Sequence, residues 1–272
     1  MNHADREALA GAREVLENPG LAVRLTDLLG RPVEAAVAAL PAAASRQIRL
    51  ATSAALQRAL SVALRTLDGD PDPPADWLHR LAAGAAGAGG GAFGLAGLAV
   101  ELPLSTGLML RAIADHARAQ GEDLSQPAAR LECLAVFAYG SPRAADDAAD
   151  AGYFAARAAL ARSVSEAAEW IAAKGVARAA SDRGAPALAR LVTAVASRFS
   201  VAVSEKAAAQ LVPVVGAAGG AALNLVFMNH YQRTAWGHFT VRRLSRTYGE
   251  EAVRAAWGPP SPPRRRGLRS RR

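Results

Sequence analysis

The feature that most constrains the fold is a stretch of twenty residues, 81–100, that carries no charge and contains seven glycines and eight alanines. Each glycine weakens a helix in water by roughly 1 kcal/mol relative to alanine, so the stretch is poorly suited to a solvated surface helix. It is long enough to cross a bilayer, but only five of its side chains are strongly apolar, which makes insertion marginal. The stretch therefore needs a partner surface that approaches its backbone closely.

A second apolar stretch, 207–229, repeats this pattern, and glycines four residues apart occur in both. That spacing lets two helices pack closely, and tryptophans flank the pair in the way expected at a lipid interface. We predict two glycine-zipper-like helical segments at or in a membrane, with tightly packed core helices as the alternative. The predicted packing and membrane-contact residues are Trp77, Gly87, Gly91, Gly94, Pro103, Pro213, Gly216, Gly220 and Trp236.

The remaining chain has helical periodicity and no period-two runs of β-branched residues, so we predict an all-α, multi-helix bundle. Two amphipathic stripes, at 48–67 and 188–203, are typical of core helices. The proline- and aspartate-rich residues 68–76 break the chain between them. The predicted organisation is an N-terminal helical segment 1–67, a linker 68–76, a helical domain 77–250 and a disordered tail 251–272.

The net charge of +8 comes mostly from that tail. Its six arginines leave about +2 for the rest of the chain, and the tail lacks the interleaved aromatic residues of a nucleic-acid module. We expect a basic arm that binds anionic lipid or nucleic acid without sequence specificity, or neither. The residues are Arg264, Arg265, Arg266, Arg269, Arg271 and Arg272.

The first residues do not form a secretory signal, which predicts a cytoplasmic protein at the inner face of the cell membrane. The single cysteine, Cys133, lies in an apolar run and has no spaced ligand partners. We interpret it as a small buried side chain. The sequence predicts no cofactor and no metal, and it leaves an oligomer open.

Several residues are candidates for chemistry, although no known catalytic motif is present. Asp146, Asp147 and Asp150 match a DDxxD magnesium pattern, but a second acidic cluster is missing, so an acidic first helical turn is the favoured interpretation. Ser204 and Lys206 point to different faces of a helix, which argues against a Ser/Lys dyad. The candidates for a shared acid/base or metal pocket are Asp115, Glu205, Lys206, His230 and His238.

A set of blocks between residues 75 and 250 resembles the EcsC protein family. They include LPLSTGLMLRAIAD (102–115), GEDL (121–124), ECL (132–134), Tyr153 with Arg157, Arg198 with Phe199, SEKAAAQ (204–210), 212–213, 216–217, 219–222, Asn224, 227–228, His230, GHF (237–239), RRL (242–244) and 248–249. Their order along the chain makes the resemblance more specific than any single motif.

The resemblance implies no established biochemical activity, only an association with a membrane ABC-transport system. Asn229 stands where the resemblance implies an aspartate before His230, which weakens a metal or base role there. Our hypothesis from the sequence is a membrane-associated accessory protein. The alternative is a hydrolase or metal-dependent enzyme with a pocket between the glycine-rich helices, and the third is lipid or nucleic-acid binding by the tail.

Overall fold

A computed structural model of the protein describes residues 1–17, 20–29, 33–67, 94–139, 152–182, 185–210 and 216–258. All regular structure in these ranges is helical, which confirms the all-α, multi-helix prediction. The helices are α1 (His3–Glu17), α2 (Leu21–Leu29), α3 (Val33–Ala38), α4 (Ala42–Thr66), α5 (Gly94–Ala119), α6 (Pro127–Tyr139), α7 (Tyr153–Lys174), α8 (Val176–Ser181), α9 (Pro186–Gln210), α10 (Gly216–Tyr248) and α11 (Glu250–Trp257).

Helix α9 lies at the centre of the bundle and packs against α2 to α7 and against α10. The predicted stripe on this helix is buried throughout, at Leu188, Leu191, Val192, Val195, Phe199 and Val203. The stripe predicted on α4, from Ile48 to Leu67, is buried as well. Cys133 is fully buried in α6, as predicted. The 3.6-residue period was therefore enough to find these core faces.

Contacts at the helix ends show that α4, α5 and α10 run in the same direction, opposite to α9. Near the C-terminal ends, Arg118 of α5 donates to the Leu67 carbonyl at 2.9 Å, and Arg242 of α10 pairs with Glu122 just beyond α5. Near the opposite end, Lys206 of α9 pairs with Glu101 of α5. We call the end with the first turns of α4, α5 and α10 the apolar end, and the other the polar end.

Helices α1 and α11 both pack on α10 and contact each other there. A Cβ atom added at Gly11 would lie 3.0 Å from Trp236 Cη2, and one added at Gly237 would lie 3.1 Å from Leu16 Cγ. Trp236 is therefore packed against α1, where the sequence predicted an interfacial position. Close helix approach through glycine occurs here, at a contact that the sequence analysis missed.

Part of the predicted glycine zipper lies outside the described residues, as do most of the tail and the acidic residues 146–150. Gly94 and Gly216 begin α5 and α10, Gly220 is buried, and Pro103 lies inside α5. Trp77, Gly87, Gly91, Pro213 and the tail arginines are not described, so the zipper stays a prediction. The linker 68–76 is also outside, but the helices on its two sides, α4 and α5, pack together extensively.

Among the described residues, one helix, Pro186–Gln210, has the length and composition needed to cross a membrane. This is α9, whereas the two stretches predicted to contact lipid, 81–100 and 207–229, lie partly outside the described residues. A central helix that packs against seven others is apolar for that reason alone, so its composition is weak evidence for a span.

Candidate functional site

Two buried polar networks join the helices, one at each end of the bundle. The Lys206 network consists of Glu101, Lys206 and Gln210 at the apolar end. The His238 network consists of Glu122, Glu132, Tyr153, His238 and Arg242 at the polar end. Both use charged or polar side chains inside an otherwise apolar core, where such groups are stable only when they are paired.

The Lys206 network is an ion pair with no solvent access. The side chains of Lys206 and Glu101 are 0% and 2% exposed, and the Lys206 ammonium donates to Glu101 Oε1. Gln210 Nε2 donates to Glu101 Oε2 at 3.0 Å, and the Lys206 Nζ lies 5.2 Å from the centre of the Phe227 ring. Burial lowers the pKa of Lys206, and the Glu101 carboxylate opposes that shift. The pair ties α5, α9 and α10 together.

In the His238 network, the histidine lies between a phenol and a carboxylate. Its Nδ1 is 2.8 Å from the Tyr153 hydroxyl, and its Nε2 is 3.2 Å from Glu132 Oε2. The contact with Glu132 is an electrostatic one and not an aligned hydrogen bond, but a carboxylate attracts an N–H, so we assign the ring proton to Nε2, which leaves Nδ1 to accept from Tyr153. This assignment gives a neutral imidazole.

The pKa shifts agree with that assignment. Burial lowers the pKa of His238, although Glu132 opposes the shift. Burial also raises the pKa of Tyr153 well above its ordinary value, so the phenol keeps its proton. Burial alone would raise the pKa of Glu132. His238 and the guanidinium groups of Arg242 and Arg157 outweigh this effect and bring the pKa below its ordinary value. The carboxylate is therefore the charged member of the relay.

Arginines of α10 extend this network to the surface. Arg242 makes two hydrogen bonds to Glu122, at 2.8 and 3.0 Å, and lies 3.1 Å from Glu132 Oε1. Arg246 pairs with Glu122 as well, and Arg243 pairs with Asp5 of α1 at 3.0 Å. Bidentate arginine–carboxylate pairs of this kind are strong and directional. They fix α1, α6 and α10 at the polar end.

A Tyr–His–Glu relay has the members of an acid–base site, but this one lacks the exposure that chemistry on a substrate needs. Tyr153 is 5% exposed, and Trp257 stacks on its ring with centroids 5.6 Å apart. A raised phenol pKa also makes Tyr153 a poor nucleophile or base. The geometry supports a role in holding α6, α7 and α10 together.

The five candidate residues from the sequence do not gather in one place. Lys206 and His238 belong to different networks, and Phe227, which contacts Lys206, precedes His238 by eleven residues, about 16 Å along α10. Asp115 pairs with Arg118 at 3.1 Å. His230 is buried with its ring against Tyr231, and Glu205 is half-buried on α9. The sequence analysis missed Glu101 as the partner of Lys206, and Glu132 and Tyr153 as those of His238.

A small pocket in the described part of the chain lies elsewhere, between α4, α8 and α9. It holds about 100 Å³ and is lined by polar side chains such as Ser53, Gln57, Asp182 and Thr193 above a floor that includes Leu188. None of the five candidates lines it. Its size suits a few water molecules or a very small polar ligand.

The surface that differs most from an ordinary helical bundle is at the apolar end. Val100 and Leu104 of α5 are 70% and 54% exposed, and Leu50 of α4 is 67% exposed. These are the large apolar side chains that stand out to solvent in the described ranges. Residues 94–110 contain one charge, Glu101, and it is turned inward onto Lys206. The outward face of α5 at this end is therefore uncharged.

The position of these residues on the α5 helix is informative. Leu98 and Leu102 are buried, while Val100 and Leu104 lie on the opposite side of the helix. Helix α5 is thus apolar on its inward and its outward face at the apolar end. A helix with this composition is stable where both faces are removed from water.

Comparison with known proteins identifies the chain's family. A model of the EcsC protein family matches residues 21–244, a longer range than the blocks that carry the resemblance. No curated protein and no solved structure matches the chain. The match includes both polar networks and the apolar surface of α5, and it leaves all of α1 and all of α11 outside. This chain therefore belongs to the EcsC protein family.

Proposed function

We propose that this protein is a membrane-associated accessory protein that contacts lipid through its apolar end. The observation that carries the proposal is the outward face of α5, where Val100 and Leu104 are exposed and the one charge nearby is buried. An exposed apolar face on a helix that already buries its other face needs cover. The hydrocarbon boundary of a bilayer supplies such cover.

The apolar stretches of the sequence support this choice of partner. The glycine-rich residues before Gly94 lead directly into the exposed turns of α5, and residues 211–215 connect α9 to α10 at the same end. The first turns of α10, 216–229, contain no charge. Apolar sequence and exposed apolar side chains thus occur together at one end of the bundle, as in proteins that lie at a lipid interface.

The enzyme alternative gains no support from the geometry, because Lys206 and His238 belong to separate networks. An accessory role, in which the protein binds a membrane and a membrane component, requires no catalytic pocket. A membrane transport system as that component remains a prediction from the family resemblance, and the inner face of the cell membrane as the location remains a prediction from the sequence.

Flotation of the purified protein with phosphatidylcholine vesicles tests the proposal. The double substitution V100Q/L104Q removes two exposed apolar side chains without adding charge, and we expect vesicle binding to fall about tenfold or more. A matched control is A158Q/A161Q, at two exposed positions on α7. We expect the control to bind like the parent protein.

Two results would contradict the proposal. One is equal flotation of V100Q/L104Q and the parent protein. The other is a parent protein that does not float but forms a dimer that V100Q/L104Q dissociates, which would assign the face to a second copy of the chain. The six tail arginines are replaced by glutamine in a parallel series, so that binding by the basic tail is measured separately.

A further inference from the structure

We infer that the apolar end recognises anionic lipid, and that Arg46 and Arg49 at the start of α4 are the residues that bind its headgroups. The inference rests on the proposed function and names the lipid class. Both arginines are exposed, and they lie three residues apart, beside Leu50. Positions 46, 49 and 50 fall on one face of a helix, so two cations flank one exposed apolar side chain.

The location of this basic face matches that of the apolar surface. Helices α4 and α5 run in the same direction, with Leu67 and Arg118 in contact near their C-terminal ends. Counting back along each helix, Leu50 lies about 25 Å and Val100 about 27 Å from that contact. Leu50 is therefore at nearly the same height in the bundle as Val100, and the whole set from Arg46, at about 32 Å, to Leu104, at about 21 Å, spans about 10 Å along the helices.

Acidic residues are scarce around this face. The first three turns of α4 contain Arg46 and Arg49 and no carboxylate. On α5, the Glu101 charge is buried and neutralised by Lys206, and the first turns of α10 are uncharged. Glu205, half-buried on α9, is the remaining acidic side chain described there. A positive fringe around an apolar patch is the arrangement that binds a negatively charged bilayer surface.

The test compares two double variants of the full chain that lose the same charge. R46Q/R49Q removes the proposed headgroup contacts, while R58Q/R178Q removes two exposed arginines farther from the apolar end. All proteins also carry the glutamine-substituted tail, so that the tail does not contribute. Binding is measured on vesicles of phosphatidylcholine alone and of phosphatidylcholine mixed with phosphatidylserine, at low and high salt.

We expect the parent protein to bind the mixed vesicles more tightly than the neutral ones, and the difference to shrink in high salt. Each arginine at the surface contributes about fivefold, so R46Q/R49Q should lose roughly 25-fold on mixed vesicles and nothing on neutral ones. R58Q/R178Q should lose far less.

The outcomes separate this inference from the proposed function. If R46Q/R49Q and R58Q/R178Q bind mixed vesicles equally, the inference is wrong, while binding to neutral vesicles that depends on Val100 and Leu104 keeps the proposed function. If the parent protein binds neither kind of vesicle, both are wrong. Binding to mixed vesicles that survives R46Q/R49Q but is lost in V100Q/L104Q also overturns the assignment of the two arginines.

Discussion

The two ends of the bundle use charge in opposite ways. At the polar end, Glu122, Arg242 and Arg246 connect the core to the surface through a chain of ion pairs. At the apolar end, the Glu101–Lys206 pair lies fully inside, and the surface outside it carries Val100 and Leu104. The polar end thus exposes paired charges to water, whereas the apolar end exposes large apolar side chains.

This difference shows why a buried ion pair is compatible with the proposed contact between the apolar end and lipid. A charge left on the outward face of α5 would oppose contact with hydrocarbon, because an ion inside the hydrocarbon of a bilayer is strongly disfavoured. Turning Glu101 inward and pairing it with Lys206 and Gln210 removes that charge from the surface and satisfies it by hydrogen bonding. The same pair fixes the rotation of α5 that presents Val100 and Leu104 outward.

The largest effect on stability is expected when one member of the buried Glu101–Lys206 pair is removed. Substituting Lys206→Met leaves the Glu101 carboxylate in the core with a hydrogen bond from Gln210 but without its cation, and we expect a loss of about 3–5 kcal/mol in the free energy of unfolding. The double variant E101L/K206M should recover most of it, because an ion pair can be replaced by apolar side chains. Urea denaturation followed by circular dichroism measures both.

The matched control for this prediction is the exposed pair Glu250–Arg254 on α11, whose side chains are 50% and 52% exposed. Arg254→Gln should lower the free energy of unfolding by about 1 kcal/mol or less, because an exposed pair and the contact of Arg254 with the Phe154 ring both contribute little. If Lys206→Met destabilised the protein as little as Arg254→Gln, the Glu101–Lys206 pair would not be what holds α5 and α9 together.

The core faces of this fold were accessible from the sequence, but the pairings were not. The stripes on α4 and α9 and the buried Cys133 follow from local periodicity. By contrast, Glu101 and Lys206 are 105 residues apart, and Tyr153 and His238 are 85 apart. No spacing rule connects residues at such separations.

A signal for these residues was nevertheless present in the sequence. Glu101 is the one charge among residues 94–110, and Glu132 is the one carboxylate of α6, where Arg130 is the other charged residue. A charge in such a position is either exposed or paired, and a run that is apolar on both sides leaves few exposed positions. Treating isolated charges in apolar runs as members of buried pairs would have selected both carboxylates, although their partners would still require the fold.

The polar end should respond to pH in a way that the apolar end does not. The folded-state pKa of His238 lies below its ordinary value of 6.5, so below that pH the unfolded chain binds a proton that the folded chain does not. The contribution of His238 to the free energy of unfolding is therefore fully present above about pH 6.5. It falls as the pH falls, with a limiting slope of about 1.4 kcal/mol per pH unit for one proton. The facing groups are Glu132 and Tyr139 of α6, Tyr153 and Arg157 of α7, and Arg242 of α10.

Urea denaturation at several pH values between 7 and 5 checks this prediction. His238→Gln should lower stability at pH 7 and flatten the slope across this window. Glu122 and Glu132, whose pKa values are lowered by their arginine and histidine partners, lose their contribution at more acid pH, below about 4.5. An unchanged slope in His238→Gln would mean that His238 is not the source of the acid sensitivity.

The smallest effect on stability is expected from alanine substitutions at two glycines, one at the contact between α1 and α10 and one in the middle of α5. Gly107 has no atom within 4 Å of the space a side-chain carbon would fill, so Gly107→Ala should raise the free energy of unfolding by roughly 1 kcal/mol through helix propensity alone. At Gly237 the new carbon would lie 3.1 Å from Leu16 Cγ and 3.4 Å from the Ala12 carbonyl oxygen. Gly237→Ala should therefore gain less than Gly107→Ala or lose stability, as measured by thermal unfolding. Equal gains at both positions would mean that α1 shifts freely on α10 and that its close packing there contributes little.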